Sequence, residues 1–301
     1  MLVVHPRPIF KQHTYMVTRR TTQRQFLLRP NKAINQCIRY CVSIASEASG
    51  VELHAVMFMS NHYHIILTDV EGRLPVFTET LNRLLAKSLN VYHGRGENFW
   101  AGHVQPSHVH LGDRAAVLDK LAYLLCNPVA SDLVKEGKDW PGIRVFLPGE
   151  TKCVRPKFYF RDEDSGGKMA KKTKLKLSLP ECLGDRKQAL KELRKLIKDK
   201  EEILAEKRKA SGKQVLGKEA IKRQRIDSTP SSQDKPFNIS PRLACRDKWR
   251  KIEILQLMKS FLNAYKQAWE SYKAGEAGVQ FPLGSYKMGL IKHAVIAEAD
   301  F

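Results

Sequence analysis

The chain has 301 residues, of which 43% are hydrophobic and 28% charged, and its formal net charge is +21. The hydrophobic content allows a packed core, while six cysteines without a CxxC pair argue against a disulfide framework and a zinc ribbon. No apolar run reaches the roughly 18 residues of a membrane span, and the N-terminal segment lacks the layout of a signal peptide. We therefore expect a cytoplasmic protein that does not enter a membrane.

The excess positive charge lies mainly in the second half of the chain. Residues 1–150 carry a balance of +5 and residues 151–301 a balance of +16. Such a charge favours polyanionic partners, with nucleic acid first and an anionic membrane surface second; the alternative is a solvated Lys-rich tail. We predict a folded domain over 1–150 and a basic, largely helical extension over 151–301, with flexible linkers at about 161–178 and 210–240.

Hydrophobic periodicity and capping residues predict seven elements in the first domain. They are a strand at 13–19, a helix from Asn31 to about 48, strands at 52–59 and 62–68, a helix at 79–92, a strand near 104–111 and a helix from Asp113 to about 127. This order is that of the split βαβ, or ferredoxin-like, pattern. The predicted fold class is therefore α+β, an antiparallel sheet with helices packed on one face.

Beyond residue 160 the composition becomes polar and rich in lysine. The pattern predicts a linker at 162–176, a charged amphipathic helix at 186–209, a poorly ordered stretch at 210–240 and a long helix at 246–273. Two basic clusters, KRKASGK (207–213) and KRQR (222–225), indicate added, non-specific affinity for DNA.

The segment SNHYHIIL (60–67) carries the first candidate site. Alternate residues of a strand share a face, so His62 and His64 point one way and Tyr63 points the other way, into an apolar layer. Two imidazoles at this spacing form a platform for a transition metal, and they accept Mn²⁺ or Mg²⁺ when oxygen ligands complete the shell. His108 and His110 have the same spacing on a less apolar segment and are the weaker candidate pair.

The segment LDKLAYLLCNPV (118–129) carries the second candidate site. At 100° per residue its apolar side chains cover one face of the helix, and Tyr123 lies almost opposite them. Lys120 is about one turn before Tyr123, and Asn127 is one turn after it. Two interpretations stay open, an ordinary surface tyrosine or a nucleophile presented beside a cation and an amide.

Together the two segments supply what a tyrosine needs to attack a phosphodiester. A phenol with a pKa near 10 is a poor nucleophile at neutral pH. A metal held by His62 and His64 would polarise the scissile phosphate and offset the developing charge. The helix would hold Tyr123 in line with the bond to be broken, which is most of what phosphoryl transfer requires.

SNHYH followed downstream by AYLLCNPV resembles the single-tyrosine HUH transposases, specifically the branch associated with repetitive extragenic palindromes. YMVTRRTTQRQF (15–26) resembles the opening segment of that family and GRGENFWAGHVQPS (94–107) its Gly-rich hairpin, so the resemblance covers about residues 10–145. It implies that His62 and His64 bind Mg²⁺ or Mn²⁺. It also implies that Tyr123 attacks single-stranded or hairpin DNA, leaving a 5′-phosphotyrosine link and a free 3′-hydroxyl.

The sequence departs from the family pattern at the third metal ligand. Related insertion-sequence transposases have Gln four residues after the tyrosine, where this chain has Asn127, which carries the same carbonyl group on a shorter side chain. In some relatives the tyrosine helix is exchanged between two protomers, so a monomer and a homodimer both stay open.

Basic and aromatic residues near these segments are candidates for DNA contacts. The predicted DNA-binding residues are Arg19, Arg20, Arg24, Arg95, Trp100 and Lys120. For the arginines of the first strand and loop the alternative is a solvated basic face, and for Trp100 it is an anchor in the core.

Three other functions compete with a DNA-nicking and DNA-joining enzyme. The first is a DNA-binding or regulatory protein that keeps the fold without catalysis. A basic RNA-binding protein ranks lower, because no strand with the aromatic pattern of an RNA-recognition motif is visible. Replication initiators and conjugative relaxases share the chemistry of the histidine pair, but the tyrosine segment and the short catalytic region fit the transposase branch better.

Overall fold

The computed structural model describes residues 6, 8–102, 106–158, 169–232, 241–285, 288 and 294–297. In chain order its strands and helices are β1 (His13–Arg20), α1 (Lys32–Ser49), β2 (Glu52–Phe58), β3 (His62–Asp69), α2 (Leu74–His93), β4 (Ser107–Leu111), α3 (Arg114–Leu125), α4 (Asn127–Ala130), β5 (Arg144–Val145), β6 (Gly149–Val154), β7 (Lys172–Leu177), α5 (Arg186–Ala210), α6 (Lys218–Arg223), β8 (Leu243–Ala244), α7 (Lys248–Lys273), β9 (Gln280–Phe281) and β10 (Val295–Ile296).

A six-stranded sheet forms the centre of the molecule, in the order β5-β2-β3-β1-β4-β8. Its neighbours pair antiparallel except for β8, which runs parallel to β4. The predicted fold class is confirmed, because a mainly antiparallel sheet is combined with helices and the C-terminal region is largely helical. Among the described residues, no helix is both long enough and apolar enough to cross a membrane.

Local capping chemistry sets where the helices begin and end. The Asn31 side chain accepts a hydrogen bond from the backbone N–H of Ile34, and Asp113 does the same for Ala116, so each caps the helix that the sequence predicts. Helix α1 ends at Gly50, whose φ of 71° is the left-handed conformation that glycine adopts without strain.

The two faces of the sheet are covered by different helices. Tyr63, Ile65 and Leu67 of β3 point into the core under α1 and α2, the face that the sequence predicts to be covered. Ile66 points to the other face, where apolar side chains of α3 and α5 complete a second core. The prediction did not include this second layer, which forms because α3 has an apolar stripe of its own and α5 packs against it.

The C-terminal region packs directly on the first domain. The hairpin of β6 and β7 places Cys153, Leu175 and Leu177 in the core beside α1. The predicted division at residue 150 therefore falls inside β6, and residues 172–177 of the expected linker form a strand. Exposed lysines alternate with buried Thr and Leu residues in KTKLKL, and this period of two is the pattern of a half-buried strand.

Other predicted segments lie partly outside the described residues. Of the linker expected at 161–178, residues 161–168 are not described, and neither are residues 233–240 of the polar stretch at 210–240. That stretch contains the short helix α6. The strand expected near 104–111 begins at Ser107, and residues 103–105 of the Gly-rich segment are outside the described part of the chain.

Candidate active site

The histidine pair of β3 lies on the face of the sheet that α3 covers. His62 and His64 are two residues apart on one strand, and their ring centroids are 4.9 Å apart. His64 is buried and His62 half-buried. Tyr63 points to the opposite face, where its hydroxyl donates to Asn82. The predicted alternation of the strand is therefore present, with Tyr63 in the core.

Each imidazole is held through its Nδ1 atom by a neighbouring polar side chain. The Nδ1 atom of His64 is 2.7 Å from the Thr18 hydroxyl on β1, the strand residue paired with it. The Nδ1 atom of His62 is 2.7 Å from Oδ1 of Asn61, whose amide nitrogen donates to the backbone carbonyl of Arg24. These bonds leave the Nε2 atoms as the nitrogens that can bind a ligand.

Both histidines are held in the neutral form. Burial lowers the pKa of His62 to about 4, and the charges of Arg20 and Arg24 add to the effect. Burial also lowers the pKa of His64 well below its usual value, with His62 as the second cause. A neutral imidazole has the free lone pair that metal coordination requires, so both rings are competent as ligands at neutral pH.

Helix α3 brings Tyr123 to this histidine pair. The ring centroids of Tyr123 and His64 are 5.7 Å apart in an edge-on arrangement, although the two residues are far apart in sequence. The Tyr123 side chain is 42% exposed, and Nζ of Lys120 lies 5.5 Å from its ring centroid. No other described residue forms a hydrogen bond with the Tyr123 hydroxyl. Partial burial raises the pKa of this phenol, so it carries its proton at neutral pH.

The donor set fits a divalent metal ion in part. Two neutral imidazoles on one face of a strand suit Mn²⁺ better than Mg²⁺, which prefers oxygen ligands. The described residues contain no group of three or more His, Cys, Asp and Glu side chains that could hold an ion. Asn127 begins α4, is buried, and its side chain makes no hydrogen bond with the described residues. It stays the predicted third ligand, and phosphate or water oxygens would complete the shell.

The arginines of the first strand and loop divide between the two faces. Arg20 pairs with His62 in the sheet, and Arg20 and Arg24 both act electrostatically on the His62 ring. Arg19 points to the other face, where its guanidinium donates to the backbone carbonyl of Ala101. Arg19 thus lies on the face opposite to the histidine pair, because neighbouring residues of a strand face opposite sides, and its contact with DNA stays a prediction.

The described part of the Gly-rich segment contributes an aromatic residue to the core. Trp100 is 8% exposed, its indole N–H donates to the carbonyl of Asn82, and its ring contacts Tyr63 edge-on. Trp100 therefore occupies the core position, the second of the two interpretations, and its contact with DNA stays a prediction. The Arg95 side chain is 18% exposed and its guanidinium is paired with Glu97, and its contact with DNA stays a prediction.

Sequence reasoning missed Thr18 and Asn61, the residues that hold the imidazoles. Asn61 directly precedes the histidine pair, and that position was the available signal. Thr18 reaches His64 only because β1 pairs with β3 in one particular register. That register depends on contacts between distant parts of the chain.

The second histidine pair lies on the opposite face of the sheet. His108 pairs with Val17 and His110 with Tyr15, so both face away from His64. The His110 ring lies 4.5 Å from that of His13. Helix α7, rather than α3, lies against this pair, through Met258 and Leu262.

Two solved structures that are similar to this chain are those of transposases. A REP-associated tyrosine transposase bound to a REP hairpin is 20% identical over 47% of this chain and 81% of its own, with a TM-score of 0.37. A protein of Deinococcus radiodurans R1, assigned as a transposase, is 17% identical over 32% of this chain and 76% of its own, with a TM-score of 0.27. No family model and no curated protein matches the sequence.

Proposed function

We propose that the protein nicks and rejoins single-stranded or hairpin DNA through a covalent tyrosyl intermediate, in a metal-assisted reaction of the transposase type. The observation that carries this proposal is the convergence of two separate motifs. The phenol of Tyr123 lies beside His64, within a ring distance of 5.7 Å, and both imidazoles keep their Nε2 atoms for a ligand. Tyr123 is half-exposed and is not needed for packing, and the two imidazoles have no ligand at Nε2 within the described part of the protein. In the proposed site the three side chains act together.

In the proposed reaction the Tyr123 hydroxyl oxygen attacks the phosphorus of a DNA phosphodiester. The new O–P bond forms as the bond from phosphorus to the 3′-oxygen breaks, and the phenol proton ends on that 3′-hydroxyl. The product is a 5′-phosphotyrosine, which stores the energy of the broken bond. Attack by a 3′-hydroxyl on the same phosphorus rejoins the strand, so the cycle needs no nucleotide hydrolysis.

The residues of the chain have distinct roles in this scheme. His62 and His64 would hold Mn²⁺ or Mg²⁺, which when bound supplies Lewis-acid polarisation of the scissile phosphate. Thr18 and Asn61 fix the orientation of the two rings. Lys120, which lies over the Tyr123 ring, contributes positive charge for the phosphate to be attacked.

The proposal is tested by trapping the covalent intermediate. End-labelled hairpin DNA is incubated with the protein and Mn²⁺, and the products are resolved on a denaturing protein gel. Tyr123→Phe and the double variant His62→Ala/His64→Ala should form no labelled adduct. Tyr92→Phe is the matched control, because Tyr92 is 39% exposed and lies on α2, which packs on the opposite face of the sheet.

The outcomes separate the proposed enzyme from its alternatives. An adduct lost in Tyr123→Phe and kept in Tyr92→Phe supports Tyr123 as the nucleophile. An adduct that survives Tyr123→Phe places the nucleophile elsewhere. Intact binding of hairpin DNA with no adduct from the unaltered chain would replace the enzyme with a DNA-binding protein of the same fold.

A further inference from the structure

Three cations, from α3, from α5 and from the residues just before α7, meet around one carboxylate beside Tyr123. Asp119 lies on α3, about one turn before the tyrosine. Nζ of Lys200, from α5, donates to its Oδ1 atom at 2.9 Å. Nζ of Lys120 is 3.7 Å from Oδ2, and the guanidinium of Arg246, just before α7, is 3.6 Å from Oδ1. We call these four residues the Asp119 cluster.

The structure fixes the position of Arg246 through its backbone. Asp113, which caps α3 with one carboxylate oxygen, accepts hydrogen bonds with the other from the backbone N–H groups of Arg246 and Asp247. The Cys245 thiol donates to the same oxygen. The start of α7 is therefore attached to the start of α3, and Arg246 is held near the tyrosine helix.

The Asp119 cluster keeps a positive charge. Burial would raise the pKa of Asp119, but the bond from Lys200 and the charges of all three cations outweigh it, so the pKa is lowered and the carboxylate stays ionised. Three cations against one anion leave a balance of +2. The Asp119 carboxylate thus attracts three cationic side chains that would otherwise repel one another. It does not neutralise their combined charge.

An exposed aromatic ring follows the cluster along the chain. Trp249, in the first turn of α7, is 75% exposed, and Nζ of Lys248 lies 5.6 Å from the ring. The packing of α7 depends on other residues, because Ile254, Phe261 and Ala268 are its buried side chains. An exposed indole ring three residues after Arg246, with Lys248 over it, combines with the grouped cations in the way that binds single-stranded nucleic acid, where phosphates meet cations and bases stack on aromatic rings.

We propose that the C-terminal region binds the single-stranded DNA next to Tyr123, with Lys200 and Arg246 on its phosphates and Trp249 stacked on a base. The location beside a nucleophile rests on the proposed function, whereas the binding itself does not. An anionic membrane surface would also attract these groups. DNA is favoured because the cations converge on one carboxylate next to the candidate nucleophile, where a strand has to pass.

The test measures binding without chemistry. Fluorescence anisotropy of a labelled 20-nucleotide oligothymidine is recorded across a range of salt concentrations, with every variant made in the Tyr123→Phe background. Lys200→Ala/Arg246→Ala should lower the slope of log K against log salt by about 1.4, because each contact with a single-strand phosphate contributes about 0.7. Trp249→Ala should weaken binding at least about fivefold and leave the slope unchanged.

Matched controls remove the same charge elsewhere on the same helices. Lys198→Ala/Lys266→Ala takes one lysine from α5 and one from α7, each paired with a glutamate one turn on. Lys266 lies roughly 30 Å along α7 from Arg246, at 1.5 Å per residue. This control should keep more of the salt slope than the cluster variant does. Thermal unfolding of each variant checks the fold, and Trp249→Ala replaces an exposed side chain that packs no core.

Several outcomes would overturn the inference. They are a cluster variant whose slope equals that of the control, a Trp249→Ala protein with unchanged affinity, and a parent protein that binds phosphatidylserine vesicles but not the oligothymidine. The adduct assay is independent of all three. Binding through these residues without an adduct would overturn the proposed function alone, and an adduct with no effect of these variants on binding would overturn this inference alone.

Discussion

Two His-x-His pairs flank the same central strand and have different surroundings. The pair of β3, His62 and His64, faces α3, with its Nδ1 atoms held by Thr18 and Asn61 and the His64 ring 5.7 Å from that of Tyr123. The pair of β4, His108 and His110, faces the opposite side of the sheet. The spacing of the histidines is identical in the two pairs. It therefore predicts that the two side chains of a pair share a face of the strand, but not what surrounds them.

The surroundings of His110 are those of a packing residue. With His108 and apolar side chains that include Ile9 and Met258, it lines a cavity of about 30 Å³, room for about one water molecule. Burial lowers the pKa of His110 to about 3, and His13 and Arg250 add to the effect. A pair covered by helix α7 in this way has no room for a DNA strand, whereas the pair of β3 lies beside a half-exposed tyrosine.

The largest expected effect tests directly whether the two histidine pairs differ in function. His62→Ala/His64→Ala should reduce adduct formation by about 10³-fold, because the metal contributes several kcal/mol to stabilising the transition state. His108→Ala/His110→Ala should keep adduct formation per folded molecule and lower the free energy of unfolding instead. Denaturant unfolding gives the folded fraction for each variant. Equal loss of adduct in the two double variants would show that the two pairs are not different in function.

The pH dependence of the free energy of unfolding tests whether His110 is a buried, neutral residue. The pKa of His110 is about 3 in the folded protein and near 6.5 when unfolded. As the pH falls, the unfolded chain therefore takes up a proton at a higher pH than the folded protein does. The contribution of neutral His110 to the free energy of unfolding is complete above pH 6.5 and is lost as the pH falls towards 3. The slope attributable to His110 is about 1.4 kcal/mol per pH unit between pH 6 and 4.

The measurement is urea unfolding at several pH values for the unaltered chain and His110→Gln. The variant should lose less stability between pH 6 and 4, because glutamine does not titrate. Parallel pH profiles for the two proteins would mean that His110 is not the buried, neutral group described above.

A smaller effect is expected from the residue that holds His64. Thr18→Val removes the hydroxyl at Nδ1 and should weaken Mn²⁺ binding at least about tenfold, as loss of an outer-shell partner does. Thr18→Ser should restore it. Thr14→Val is the matched control, since Thr14 lies on the same strand and face and bonds to Thr68. Isothermal titration with Mn²⁺ measures the affinities, and an equal loss in both valine variants would remove the role assigned to Thr18.

The smallest effect concerns the residue between the two histidines. Tyr63→Phe removes a buried hydrogen bond to Asn82 and should lower the free energy of unfolding by about 1 kcal/mol. Adduct formation should not change, because the Tyr63 side chain lies on the opposite face from Tyr123. A Tyr63→Phe protein that is fully stable but makes no adduct would identify Tyr63 as the nucleophile.

Local signals predicted the helices and long strands of the first domain and the face on which His62 and His64 lie. Asn31 and Asp113 mark helix starts through side-chain caps, Gly50 marks a helix end, and alternation in β3 puts His62 and His64 on one face. These features depend on a few neighbouring residues, which is why a sequence alone shows them.

Features that depend on distant contacts were not predicted. The partner of His64 follows from the register of two strands, and the choice between the two interpretations of Trp100 depends on a backbone carbonyl on α2. Lys200 and Arg246 come to Asp119 only when α5 and α7 pack on the first domain. The strand β7 was missed for a different reason, because its alternating pattern stands in a lysine-rich stretch that composition assigns to a linker.

The two oxygens of the Asp113 carboxylate serve two helices, since one caps α3 and the other accepts hydrogen bonds from the residues just before α7. The direction of the tyrosine helix is therefore tied to a segment more than 130 positions later. A chain shortened before residue 245 would keep the cap of α3 but lose that attachment. In evolution, the C-terminal region and the tyrosine helix would then have to change together. An exchange of the C-terminal region between relatives would therefore also change the orientation of the helix that carries Tyr123.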